Sequence, residues 1–264
     1  MKKEIRRKPI LIILILALLA LFSFTARKPA DGVPVLLYHQ IVPDREYETM
    51  DKNDSIMPVK EFKKQMQMIA DAGYQTISLD QLRKHISGEQ PAPDHSIVIT
   101  FDDGYQSDYS LAYPILKSHG FQAESFIVTS FLNEESGDPE RLSSREIIRM
   151  KDVFGIHSHS HGLHTYEYNH NPLSELLTEN LTWDTDLSLQ TLEHKELKTK
   201  EDLDAYAYPY GKYDDRFMDI LTFLQVDLAF TTEKGYVRPG CNPLSLPRFG
   251  MYPGRFGQLY RVLY

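Results

Sequence analysis

The sequence predicts an α/β fold, a parallel sheet or barrel, and three features of the chain predict it. Short apolar runs recur from Pro34 onward, stretches with helical apolar spacing fall between them, and residues capable of chemistry gather directly after the runs. Alternating strands and helices imply parallel strands joined by crossovers, and such folds collect functional side chains at strand ends.

A first strand is predicted over residues 35–38. Phe62, Met66, Ile69 and Ala70 then share one helical face, with Gly73 as the stop. A compact apolar strand is expected over 96–101, a helix over 111–119 ending at Gly120, and a strand over 126–128. A short helix over 145–150 leads into a strand over 153–156. Asn171-Pro172 opens a helix reaching toward His194, since proline suits a first turn whose N–H has no partner anyway. Further strands are expected over 206–208, 228–231 and 244–246. No internal repeat or low-complexity linker interrupts this pattern, and Pro91-Ala92-Pro93 is a surface turn.

The first thirty residues differ from the rest, which divides the chain into an N-terminal segment over 1–30 and one large domain over 31–264. Lys2, Lys3, Arg6, Arg7 and Lys8 stand against one acid, Glu4, before an unbroken apolar run from Ile10 to Phe22. This is the charge-then-apolar layout of a signal peptide or signal anchor, with the basic flank cytoplasmic and everything after it outside. Cleavage after Ala26 or Ala30 would put Phe24 or Lys28 three places before the cut, where a small residue is preferred. An uncleaved membrane anchor is therefore favoured over a cleaved, secreted form. The net charge of −8 and pI near 5.7 give no nucleic-acid footprint. The single cysteine, Cys241, excludes an internal disulfide and a Cys-rich zinc module.

Ten histidines take the place of cysteines, and His157, His159, His161, His164 and His170 lie close together. The chemistry concentrates in three strand-end motifs. Thr100-Phe101-Asp102-Asp103-Gly104 follows the 96–101 strand, and adjacent carboxylates there repel unless one meets a cation and the other moves a proton. An Asp-Asp-Gly turn is the plainer reading of that motif alone. His157-Ser158-His159-Ser160-His161 follows the 153–156 strand, and imidazoles joined by an aspartate oxygen suit Zn²⁺ with a place left for water. Tyr208-Pro209-Tyr210-Gly211 follows a third strand and is either a simple turn or a backbone N–H presented to an oxyanion.

The Thr-Phe-Asp-Asp-Gly and His-Ser-x-x-His motifs resemble those of the polysaccharide deacetylases, carbohydrate esterase family four, whose domain is called the NodB-homology domain. The resemblance runs from about Val35 to Phe249. It implies a distorted (β/α) barrel of seven strands, with Asp103, His157 and His161 as metal ligands, zinc by default, and Asp102 as the general base. Ser158 would brace the ligand loop, the Tyr210 N–H would hold the oxyanion, His159 has no ligand counterpart, and His164 and His170 are expected at the surface. Two features depart from the family pattern: Ala207 stands where an arginine is usual, and residues 244–249 contain no histidine. The biofilm poly-β-1,6-N-acetylglucosamine deacetylase branch is more similar, with Tyr38-His39, Tyr208-Pro209-Tyr210-Gly211 and Pro247-Arg248 matching its motifs. That branch implies His39 as general acid, against the plainer reading of a strand-end histidine, and suggests Arg248 as the residue orienting Asp102. The expected activity is metal-dependent removal of N-acetyl groups from an extracellular N-acetylglucosamine polymer. A peptidoglycan deacetylase using the same atoms and a non-catalytic sugar-binding protein are the alternatives.

Overall fold

The computed structural model describes residues 32–133, 139–164, 166–170, 173–198 and 202–264. The export segment over 1–30 and the Asn171-Pro172 helix start lie outside the described residues. Among the described residues, no helix is long and apolar enough to cross a membrane.

Eleven strands are described: β1 (Val33–Tyr38), β2 (Gln40–Val42), β3 (Ile56–Pro58), β4 (Gln75–Thr76), β5 (Ser96–Asp102), β6 (Ala123–Ile127), β7 (Phe154–Ser158), β8 (Ala205–Ala207), β9 (Leu228–Phe230), β10 (Tyr236–Val237) and β11 (Phe249–Gly250). The helices are α1 (Asp44–Thr49), α2 (Val59–Asp71), α3 (Leu79–Ser87), α4 (Tyr113–His119), α5 (Ser144–Met150), α6 (Tyr166–His170), α7 (Thr178–His194), α8 (Asp215–Phe223) and α9 (Phe256–Leu263). The main sheet runs β10-β1-β5-β6-β7-β8-β9, with β4 on β5 and β11 on β1. Strands β1 and β5 through β9 pair in parallel, in register Leu36↔Ile99, Phe101↔Ser125, Phe126↔His157 and Tyr206↔Ala229. The expected α/β architecture is therefore present as a curled, mainly parallel sheet.

Every residue of β1, β5 and β6 is buried, as it must be where both faces of a parallel sheet are covered. One face, carrying Leu36, Ile99, Phe101 and Phe154, packs on Phe62, Met66 and Ile69 of α2, Leu116 of α4 and Ile147 of α5. The other lines the inside of the curl with Val35, Val98, Phe126, Ala207 and Phe230. Helix α3 seals the lower end of that interior with Leu79, Leu82 and Ile86. Its start is fixed by a Ser78–Gln81 capping box and its end by Gly88 in the left-handed region.

The expected 244–246 strand takes another form. Leu246 makes a single parallel bridge to Phe230 of β9, and three residues later β11 pairs with Leu36 and Leu37 of β1. This short segment spans the gap between the sheet's two edges and draws the curl into a distorted barrel. Strand β7 also differs from expectation, since it ends at Ser158 and not at residue 156.

Candidate active site

The site is built on the upper ends of β1, β5, β7 and β8. A cavity of about 310 Å³ opens there, lined among others by His39, Asp102, Asp103, Tyr105, Arg141, His159, His164 and Tyr210. Asp102 is the last residue of β5 and is 2% exposed. Asp103 follows with φ +74°, a left-handed backbone that swings its side chain off the strand's alternation and into the cavity. The Arg141 guanidinium donates to the Asp103 carbonyl at 2.9 Å and stacks on Tyr105 and Phe131, which holds that turn in place.

Asp103, His159 and His164 each offer a ligand atom, and these atoms lie within 4.8 Å of one another. His159 Nε2 is 3.4 Å and His164 Nε2 3.3 Å from Asp103 Oδ1. His159 Nδ1 donates to the Ala207 carbonyl at 2.7 Å, which aims Nε2 at the aspartate. Burial works to lower the His159 pKa, but Asp102 and Asp103 outweigh it and raise it, and a bound cation would take the place of the Nε2 proton. A carbonyl behind a ligating imidazole is the usual way a metal-binding histidine is oriented. One carboxylate and two imidazoles, with one tautomer already set, fit a divalent cation such as zinc.

The histidine assignment therefore needs correcting. His157 and His161 do not meet Asp103. Because β7 continues to Ser158, His157 lies within the strand, its ring 5.4 Å from that of Phe126, and Nε2 donates to Glu124 Oε2 at 2.8 Å. Gly155 makes room for this pair, since a Cβ there would lie 1.9 Å from Glu124 Oε2. His157 lines a different cavity, of about 360 Å³, together with Glu124, Ser78 and Leu79 from the start of α3. His159, two residues on and so on the same face, is the residue that reaches the site. His161 is turned outward by the left-handed Ser160; its Nδ1 lies 3.0 Å from Thr129 Oγ1 and its ring stands edge-on to Trp183. His164, expected at the surface, packs against His159 with ring centroids 4.4 Å apart and its side chain 11% exposed. Ser158 does brace the loop, through Ser188 and the Ser160 N–H.

Arg248 reaches Asp102 as the sequence suggested. Both are buried, and the guanidinium donates to both carboxylate oxygens, at 2.8 and 2.7 Å. Its Nε donates to the Thr231 carbonyl, and its face lies over Phe126 and Phe230. Burial works to raise the Asp102 pKa, but Arg248, His159 and His39 outweigh it and hold the carboxyl below its ordinary value. Asp103 behaves likewise: burial is overcome by hydrogen bonds from His159 and His164, and the pKa falls well below the usual range. Burial, with the neighbouring His159 adding to it, lowers the His164 pKa and favours the neutral ring a ligand needs.

His39 sits between β1 and β2 on the cavity wall, half-buried. Tyr210 follows β8 in a left-handed turn with its ring 5.3 Å from His164. The turn depends on Gly211, whose Cβ would lie 2.2 Å from Thr232 Oγ1 and whose φ is +69°. Sequence reasoning missed Tyr105, Phe131 and Arg141, which no strand-end motif marks. It missed His159 and His164, both within the histidine cluster, because the His-Ser-x-x-His pattern fits His157 and His161.

Known proteins resemble this arrangement over most of the chain. It is 26% identical over 237 residues to YxkH of Bacillus subtilis (strain 168), covering 88% of this chain and 76% of that protein. It is 26% identical over 239 residues to a poly-beta-1,6-N-acetyl-D-glucosamine N-deacetylase of Escherichia coli (strain K12), covering 78% of this chain but 35% of that protein. The solved Streptococcus pyogenes deacetylase PplD in complex with acetate superposes with a TM-score of 0.75 at 27% identity, covering 90% of this chain and 100% of that one. A family profile described as polysaccharide deacetylase matches residues 89–229, more than half of the chain's 264 residues. The carboxylate pair, the two converging imidazoles and these matches together make the chain a member of the polysaccharide deacetylase family.

Proposed function

We propose that this protein hydrolyses N-acetyl groups on an extracellular N-acetylglucosamine polymer, poly-β-1,6-N-acetylglucosamine in preference to peptidoglycan, with a divalent metal, zinc by default. The observation that carries this reading is the meeting of Asp103, His159 and His164 beside an Asp102 that Arg248 holds ionised and aimed. A pure sugar-binding protein has no use for a buried, oriented base next to a metal-ligand set.

Asp103 and the two Nε2 atoms of His159 and His164 would hold the cation, which supplies Lewis-acid polarisation of the acetyl carbonyl and acidifies water. Asp102 takes the proton from the attacking water as its oxygen adds to the acetyl carbon. Arg248 fixes the carboxylate through both oxygens, so no rotation is needed when the proton arrives. The Tyr210 backbone N–H would donate to the carbonyl oxygen as it gathers charge. His39, on the β1 side of the cavity, delivers a proton to the departing nitrogen, and acetate and a free amine leave. General acid–base steps of this kind contribute about 10²- to 10⁴-fold each. The E. coli relative named for the β-1,6 polymer, and the Tyr38-His39 and Pro247-Arg248 pairs, support the choice of polymer. The basic-then-apolar start of the chain supports placing this domain on the outer face of the membrane, held by an uncleaved anchor.

Acetate release from defined β-1,6- and β-1,4-linked N-acetylglucosamine oligomers, with and without chelator, tests the reading. Turnover of the β-1,6 series, abolished by chelator and restored by zinc, is expected; chelator-insensitive turnover would end the metal proposal. Among variants, His159→Ala and His164→Ala are expected to lose bound metal and activity together, whereas His157→Ala and His161→Ala keep the metal. His39→Ala is expected to keep its metal and lose about 10²-fold or more in turnover.

A further inference from the structure

The cavity of about 310 Å³ accommodates little more than the sugar unit being deacetylated, so a polymer must run over its rim. A chain of contacts leads from one wall to the outer surface. Phe131 lines the cavity; Thr129, in the same turn, meets His161; and the His161 ring stands edge-on to Trp183, 6.4 Å away at 80°. Trp183 is the chain's sole tryptophan and is 65% exposed. Apart from the edge-on His161 contact, the indole is a large apolar surface left open among the described residues.

Trp183 is also held firmly to the site. The next residue, Asp184, is buried and accepts the backbone N–H groups of His161 at 2.8 Å and Gly162 at 2.7 Å, in the loop between the two site histidines. Helix α7 is thereby tied to the loop that carries His159 and His164, and the indole keeps a fixed position relative to the cavity. A pyranose ring presents a face of axial C–H groups that suits a flat indole. The other exposed aromatics on the helices, Phe223, Tyr260 and Tyr264, have no such connection to the cavity wall.

Resting on the deacetylase reading, we propose that Trp183, backed by His161, is a stacking subsite for an N-acetylhexosamine unit flanking the one whose acetamide enters the cavity. The sole tryptophan reports its own occupancy. In Asp102→Asn, which removes the base, and in the unaltered protein held inactive by chelator, titration with β-1,6- and β-1,4-linked N-acetylglucosamine tetramers is expected to shift or quench the tryptophan emission saturably. Free acetate is expected to leave it unchanged. In Trp183→Ala the ratio of kcat/KM for the tetramer to kcat/KM for a small chromogenic acetyl ester falls about tenfold, the worth of a good aromatic stacking contact, with the change mainly in KM. Trp183→Phe recovers most of it, and Phe223→Ser, an exposed aromatic elsewhere, does not alter the ratio. A silent emission with both tetramers, or an equal loss on tetramer and ester, overturns the subsite. If the wild-type protein releases no acetate from either tetramer, the deacetylase reading fails, and the emission titration still decides whether a sugar chain lies on Trp183.

Discussion

Arg248 carries a charge where no water reaches it, and its partner Asp102 is nearly as deeply buried. Such a pair contributes little to stability when intact, but removing one side strands the other charge, at about 3–5 kcal/mol. Arg248→Ala is therefore expected to lower the urea midpoint strongly and to reduce deacetylation by about 10²-fold or more. Arg248→Lys recovers little of either, because an ammonium cannot supply the two parallel bonds. Urea unfolding and acetate release on the same preparations check both. Asp102 and Asp103 could be picked out because Thr-Phe-Asp-Asp-Gly resembles a family motif, and Arg248 because Pro247-Arg248 resembles one branch of that family. The two histidines beside Asp103 could not, because five histidines in one stretch offer several spacings and only the fold of the segment after β7 selects among them. His157, on the same face as His159, satisfies every local criterion and is diverted by Glu124, a residue 33 positions away.

At the scale of elements, the strands were legible where both faces are buried, as in β1 and β5, whose apolar runs are unbroken. Helices α3, α8 and α9 were passed over, although Leu79, Leu82 and Ile86 of α3 and Phe217, Ile220 and Leu221 of α8 hold helical spacing. Helix α3 is fixed by its capping box, and Ser78→Ala is expected to cost about 1 kcal/mol in urea unfolding while sparing acetate release. The π-helical turn over Asp108–Ala112 buries the Asp108 carboxyl completely, with one oxygen accepting from Ser125 and the other without a partner. Burial raises its pKa well above the ordinary value, against the Ser125 bond and with Asp103 and Asp102 adding to the rise. Below about pH 4 folded and unfolded chains both keep this proton. As pH rises the unfolded chain releases it first, so Asp108 lowers stability progressively until the folded pKa is passed. Asp108→Asn is expected to shrink the loss of stability between pH 5 and pH 8, measured as the change in urea midpoint. An unchanged pH slope would show that Asp108 titrates normally in the fold.

For the whole molecule, the site draws on β1, β5, β7, β8 and the closing segment, so a ligand bound there ties distant parts of the chain together. A cation bound at a hundred times its dissociation constant adds about 2.7 kcal/mol. Chelation of the metal-loaded protein is expected to lower Tm by several degrees, and readdition of zinc to restore it, as scanning calorimetry would show. His159→Ala should start at the lower Tm and be indifferent to chelator. This organisation was only partly visible in the sequence. The strand–helix rhythm announced an α/β domain, but closure of the curl by residues 246–250 needs, besides the nearby Phe230–Leu246 bridge, a pairing of β11 with β1 some two hundred residues earlier in the chain.

That closure sets the order in which the enzyme comes alive. Asp102 and both site histidines are in place well before the segment carrying Arg248 is made, yet until Leu246 meets Phe230 and Phe249 meets Leu36 the carboxylate has no fixed counter-ion. In a chain emerging amino end first, the residues around the cavity are therefore made early and the Asp102 counter-ion late, and a stalled or clipped product lacking the last twenty residues has neither Arg248 nor the segment that closes the curl.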